Sequence, residues 1–496
     1  MLEFEFVHVG RPGDEKKQST KIRRHVMKDI GRSRRKPKMC SKRTAAKPAP
    51  AKSAPSSESE QRSEPVLVPS PLDESRLRSI VFPTDMDEKR RNLARYLFAE
   101  ACSSYVPFLF PWLSIGIVDA AACTVRLQNL KLGKGNPKFD TDTEAMKLYT
   151  LSLQSVSERL ADPSERGNEG LLAAITGIIC YDEFVSNFFK KTATGNFSRQ
   201  TIHLQGLKQL IDDIGGINTI MNPMLRLIVS WYDLTGAAYR NTLPLFEVPK
   251  GSITEIDTTT NDSIYFKMLL GSWDRNCPYL GDIQSALLAT AAAASYVNTR
   301  CRNANFWKED TTAARLIIPA LHAVLSLEGR VLPNDPSDPT FSGIVAREAF
   351  RRSSLIFLAS LKVKFGVASA ELNRHLKDFQ EISRIPYVDW AVVPELNLWA
   401  HAIAALEAES DQRSWHVSVI VEMMEGAGFT SSQQAMDVVR GIIWIEALFV
   451  GKVEWLCRDL DSLLASRMAQ RSSVMPIDPQ FDESVGLLRP QGPRMG

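Results

Sequence analysis

Apolar residues recur every three or four positions over most of the chain beyond residue 85, the period of helices buried along one side. Over residues 86–106, Leu93, Tyr96, Leu97 and Ala101 fall on one face and Lys89, Arg90, Arg91 and Arg95 on the wet one. Residues 144–160 repeat the pattern through Ala145, Leu148, Tyr149, Ser152, Leu153, Val156 and Leu160. Asp162-Pro163 ends that helix, because a proline pushes the residue before it out of helical backbone. A helix over 170–189 follows. In the helix read from 201 to 216, His203, Leu207, Leu210, Ile211 and Ile214 share a face, and Gly215-Gly216 supplies the left-handed end. Asn222-Pro223 starts another helix, a cap residue followed by proline in the first turn, with Met224, Leu227, Ile228 and Trp231 as its stripe. Asp233 lies beyond that stripe, with a helix end or an arginine as its expected partner.

Further helices are predicted near 283–298, 311–328, 344–363, 391–409, 414–425 and 431–467. The last is broken near Gly451 and carries Ile442, Ile445, Phe449, Leu456, Leu460 and Leu463 on its core face. Gly426 and Gly428 mark a turn before it. Thr430 or Ser431 then caps the helix, with Gln433 or Gln434 completing a capping box. No set of alternating strands emerges after residue 80. The fold class predicted is all-α: packed antiparallel helices, without a fixed-period repeat.

The first residues differ. Leu2, Phe4 and Phe6 alternate with Glu3 and Glu5, a strand-like or docking pattern. Ile22, Val26 and Ile30 give residues 16–30 the spacing of a short helix that Gly31 ends. Residues 44–76 are rich in Pro, Ser, Ala and Glu and lack large apolar clusters, the composition of a linker. The organisation expected is a disordered basic segment over 1–43, a Pro/Ser/Ala-rich linker over 44–84, a helical domain over 85–467 and a flexible tail over 468–496.

Charge sharpens this division. The 496 residues hold 60 Lys or Arg and 57 Asp or Glu, a net charge of +3. Residues 11–47 alone hold 15 basic and 3 acidic residues, or +12. With Glu3 and Glu5, residues 1–47 sum to +10, leaving −7 for the rest. Such a head attracts polyanions: nucleic acid, anionic lipid or an import receptor. The residues expected to touch nucleic acid or an import receptor are Lys21, Arg23, Arg24, Arg32, Arg34, Arg35, Lys36 and Lys38.

Residues 101–118 carry no charge over 18 positions, close to the length of a membrane span. Pro107, Pro111 and Gly116 interrupt them, so a turn and a buried helix start are expected, with no membrane partner. The N-terminus has acidic residues where a secretory leader has basic ones. Seven dispersed cysteines do not describe a secreted disulfide framework or a zinc site of short spacing.

Catalytic signatures are missing from the sequence. There is no HExxH, and Gly133-Lys134-Gly135 lacks the flanking residues of a phosphate loop. Histidines 8, 25, 203, 322, 375, 401 and 416 are far apart in sequence, and His203 and His322 sit within apolar-periodic helices, where structural duty is expected. Asp212 and Asp213 are adjacent, so they point apart on a helix and are read as solvated. Neither an enzyme nor a cofactor is expected.

The stretches YTLSLQSVSERLADP (149–163), HLQGLKQLIDDIGG (203–216) and NPMLRLIVSWYDL (222–234) resemble the fungal-specific transcription factor domain. The resemblance covers roughly residues 85–465. The head, with RRHVMKDIGRSRRK at 23–36, is similar to the start of fungal proteins that carry this domain without a zinc cluster. The resemblance implies a nuclear regulatory protein acting through partner proteins or self-association, with possible DNA contact through the head. The family's DNA-reading module takes six cysteines and two zinc ions. Cys40 stands alone in the head, so none of those ligands carries over and no zinc is expected. The alternative is a helical scaffold or interaction protein without direct gene-regulatory activity.

Overall fold

The computed structural model describes residues 143–188, 194–253, 263–303, 305–309, 311–327, 329, 331–367, 369 and 371–473. The linker, the helix expected at 86–106, the apolar stretch 101–118 and residues 474–496 lie outside them. Among the described residues every regular element is helical. The chain divides into two compact units, one of residues 1–236, 245–252 and 310–314, the other of 237–244, 253–309 and 315–496.

The described part of the first unit is built on α1 (Thr143–Leu160), α2 (Glu169–Phe188), α3 (Thr194–Asp213) and most of α4 (Pro223–Arg240). Helix α2 packs between α1 and α3, and Leu171–Ile179 are buried without a break. Helix α3 begins seven residues before the expected start and buries Leu204, Leu207, Leu210 and Ile211. Its end follows the glycine pair, with Gly215 at φ 96° and Gly216 at φ 97°. The Asn222 side chain caps α4, accepting from the N–H groups of Met224 at 2.9 Å and Leu225 at 3.2 Å. The buried Asp233 carboxylate accepts the N–H groups of Leu245 and Phe246 and fixes that loop.

The second unit contains α5 (Ile264–Asn276), α6 (Ile283–Arg300), most of α7 (Thr312–Leu325), α8 (Phe341–Lys364), α9 (Leu372–Ser383), α10 (Pro394–Glu407), α11 (Ser410–Gly426), α12 (Ser432–Arg440), α13 (Glu446–Phe449) and α14 (Lys452–Ser473). Helix α8 is the axis. It packs against α9 and α10 and buries 19 of its 24 residues. Helix α10 is buried without a break from Leu396 to Leu406 and packs on α11, which packs on α14.

Helices α5 and α9 were not expected. Helix α9 buries His375, Leu376 and Phe379, and Leu372, Leu376, Phe379 and Ile382 recur along it at helical spacing. The expected 431–467 helix breaks twice, after Arg440 as well as at Gly451 (φ 81°). Gly441 sits where a Cβ would lie 2.5 Å from Tyr265 Cδ2, so the chain turns at the one residue that fits. The capping box forms only in part. Gln434 accepts the Thr430 N–H at 2.7 Å, but the first turn of α12 is held by Asp461 of α14, which accepts the Ser432 N–H at 2.7 Å. Ile442, Ile445, Phe449, Leu456 and Leu460 are buried as expected, with Leu464 in place of Leu463.

Candidate functional site

Helix α8 carries Arg347, Glu348, Arg351, Arg352 and Lys362 among mainly apolar residues and serines. The four cations are almost fully buried, which an isolated charge in an apolar interior does not tolerate. Each is therefore matched. The Arg347 guanidinium donates to both carboxylate oxygens of Asp282, at 3.1 and 2.6 Å. Glu348 Oε1 accepts from Arg351 at 3.0 Å and from Arg352 at 2.7 Å, pairs of the i,i+3 and i,i+4 kind. Arg352 reaches across to Asp378 of α9 at 2.7 Å, and Lys362 donates to Glu371 at 2.5 Å. Burial pushes the Glu371 carboxyl up, but Lys362 outweighs it and holds the group below the usual carboxylate range.

Two arginines of this network grip the end of α4. Asn241 adopts left-handed backbone at φ 59°, and the Thr242 N–H returns to Ala237 O at 3.0 Å. Arg374 donates to Tyr239 O at 2.6 Å and Arg351 to the Asn241 side chain at 2.6 Å. Cations placed on the last carbonyls of a helix complement its dipole.

Three of the dispersed histidines join this region. His375 is fully buried on α9 and neither ring nitrogen has a hydrogen-bond partner. Burial, aided by Arg352, Arg351 and Arg374 against Glu371, pushes its pKa down to about 3. His401 on α10 and His416 on α11 meet Nδ1 to Nδ1 at 3.0 Å. One nitrogen must donate and the other accept, so the pair takes opposite tautomers when neutral. Burial drives His401 well below its ordinary value and, with Arg384, lowers His416 to about 4. Phe379 lies against both rings at centroid distances of 5.2 and 5.7 Å, and Trp415 at 5.5 and 4.7 Å.

This seam is a lock between helices. Its carboxylates are engaged by cations and its three imidazoles are buried. Among the described residues no group of three or more His, Cys, Asp or Glu is arranged to hold a metal ion, and no helix is long and apolar enough to cross a membrane. His203 sits 3.7 Å from the buried Asp182, and His322 beside Ser326. Asp212 is exposed and pairs with Lys208. The sequence reading passed over the seam because its histidines are far apart along the chain. The run Arg347-Glu348 with Arg351-Arg352, set in a helix without a continuous wet face, was the available signal.

The residues expected to contact nucleic acid or an import receptor, Lys21, Arg23, Arg24, Arg32, Arg34, Arg35, Lys36 and Lys38, lie outside the described residues. The two-zinc module of the resembling family does not fit this chain, whose head offers Cys40 alone.

The family model of the fungal specific transcription factor domain matches residues 62–445, more than three quarters of the chain, and the protein belongs to that family. No curated protein and no solved structure matches it. Membership suggests a regulatory role.

Proposed function

We propose that this protein is a nuclear transcriptional regulator whose helical body works by binding other proteins or a second copy, and whose basic head supplies import and sequence-independent attraction to DNA. The family match over residues 62–445 carries the regulatory part. The +12 charge of residues 11–47 supports the rest: it suits phosphate or an import receptor, and charge alone does not read base edges. Binding, without bond chemistry, is the mechanism. Nuclear localisation rests on the cluster Arg32, Arg34, Arg35, Lys36 and Lys38. Replacing these five by Ala and imaging the tagged protein is expected to abolish nuclear accumulation; unchanged accumulation removes the cluster from the account. Duplex binding at two salt concentrations, with and without residues 1–47, tests the DNA contact. Truncation is expected to remove most of the affinity and its salt dependence, and equal binding by both forms refutes it.

A further inference from the structure

The loop after α6 gathers cations that no carboxylate meets. Successive turns wind it: the Asn303 N–H donates to Arg300 O at 3.0 Å and the Phe306 N–H to Asn303 O at 3.0 Å. Phe306 is buried, its ring centroid 6.3 Å from that of Tyr296 on α6 and 5.5 Å from that of Phe365, the residue after α8. Trp307 lies 4.9 Å from Phe365. These ring contacts join the ends of α6 and α8 through the loop. Arg300 and Lys364, the last residues of the two helices, are exposed, and each lies over a ring. The Arg300 guanidinium is 4.1 Å from the Tyr296 centroid, and Lys364 Nζ is 5.6 Å from that of Trp307. Arg302 and Lys308 are exposed in the loop itself, with Glu309 following them.

None of these four cations pairs with a carboxylate among the described residues, whereas Arg347, Arg351, Arg352 and Lys362 of α8 are each matched. A helix end favours a cation in its last turn, which accounts for Arg300 and Lys364 but not for Arg302 and Lys308. A guanidinium held over a ring has its N–H donors placed before an anion arrives, which lowers the entropy cost of binding. Peptide carboxylates suit this patch better than a nucleic acid does. Tyr296 and Trp307 each have a cation over the ring and a phenylalanine against it, partners that a stacking base would displace. A duplex binder neutralises about six to ten phosphates, more than four cations meet. Residues 48–496 sum to −7, which repels an extended polyanion and tolerates a short one. Val363, 51% exposed beside Lys364, offers an apolar contact to a peptide side chain.

We propose that Arg300, Arg302, Lys308 and Lys364 bind a short acidic segment of a partner protein, its carboxylates on the cations and an apolar side chain against Val363. The inference rests on the reading of the helical body as a binding domain, and gives that reading a surface and a partner chemistry. Import and DNA contact by the head are separate from it.

A photo-crosslinking peptide of about ten residues, Glu alternating with Leu, tests it on the full-length chain in about 50 mM salt. The basic head also attracts this probe, so cross-linked sites are located by peptide mapping and those in the body are scored apart from those in the head. Cross-links are expected at residues 296–309 and 363–367. Their yield should fall at least about fivefold in the double variant Arg300→Gln with Lys364→Gln, while the head's yield holds. Both side chains are exposed, so the urea midpoint of the variant should match wild type and a lost cross-link reports lost binding. Body cross-links that avoid this patch overturn the proposal, as does an undiminished yield in the double variant. An equal yield from a peptide with Gln in place of Glu overturns it too. A short duplex DNA that cross-links to the patch better than the peptide assigns it to nucleic acid and also overturns it. Import and head-dependent duplex binding are read by their own assays and stand or fall without this result.

Discussion

Replacing Lys362 by Met tests whether the buried seam holds the second unit together. Lys362 and Glu371 are 3% and 8% exposed at their side chains and 2.5 Å apart. With an effective dielectric of about 20, two unit charges at that distance attract by roughly 6–7 kcal/mol. Removing both from water costs several kcal/mol per ion, so the net worth of the pair is small. Removing one partner is different, because Glu371 is then left charged in an apolar interior. Lys362→Met is expected to destabilise the unit by about 3–5 kcal/mol, while Lys362→Met with Glu371→Leu stays near wild type or above it. Urea unfolding followed by tryptophan fluorescence reads this well, since seven of the nine tryptophans belong to the second unit.

The pH dependence has a definite sign. Glu371 is held below its ordinary value, so its contribution is complete above the unfolded carboxylate pKa of about 4.3 and is lost as pH falls toward the folded value. The damage in Lys362→Met should therefore be largest near neutral pH and shrink in acid, as the bared carboxyl takes up a proton. A loss below about 1 kcal/mol, or a double variant as unstable as the single one, refutes the reasoning.

His375 meets no hydrogen-bond partner, so His375→Leu is expected to stabilise by about 1–3 kcal/mol in the same urea assay. His416 has a folded pKa of about 4, below the unfolded value of about 6.5, so the unfolded chain binds more protons in that window. Stability should be complete above pH of about 6.5 and decline toward pH of about 4, and His416→Phe should flatten that slope in thermal melts taken across the range. At Gly343 a Cβ would lie 2.6 Å from Tyr279 Oη and 2.8 Å from Cys277 Sγ, so Gly343→Ala is expected to cost about 1–3 kcal/mol, measured as a lowered urea midpoint.

Local chemistry was legible where each residue acts on its near neighbours. The stop at Asp162-Pro163, the Gly215-Gly216 end and the Asn222 cap depend on backbone sterics and on hydrogen bonds two or three residues long. The apolar stripe located α10 and α11 to within about four residues. Helix α9 escaped although Leu372, Leu376 and Phe379 keep helical spacing; the start of α12 was placed near 431, but its end at Arg440 was not, because Tyr265 from a distant helix crowds Gly441.

The sequence by itself thus determined the helical class, the family and the uneven spread of charge, since periodicity, short motifs and summed charge are properties of the chain. Only the tertiary structure decided that Arg347, Arg351, Arg352 and Lys362 are buried, and that His401 and His416 share a hydrogen bond. A charged residue has the same identity on a wet face or a dry one. Its role follows from whether a distant carboxylate arrives to meet it, and that depends on how the helices pack.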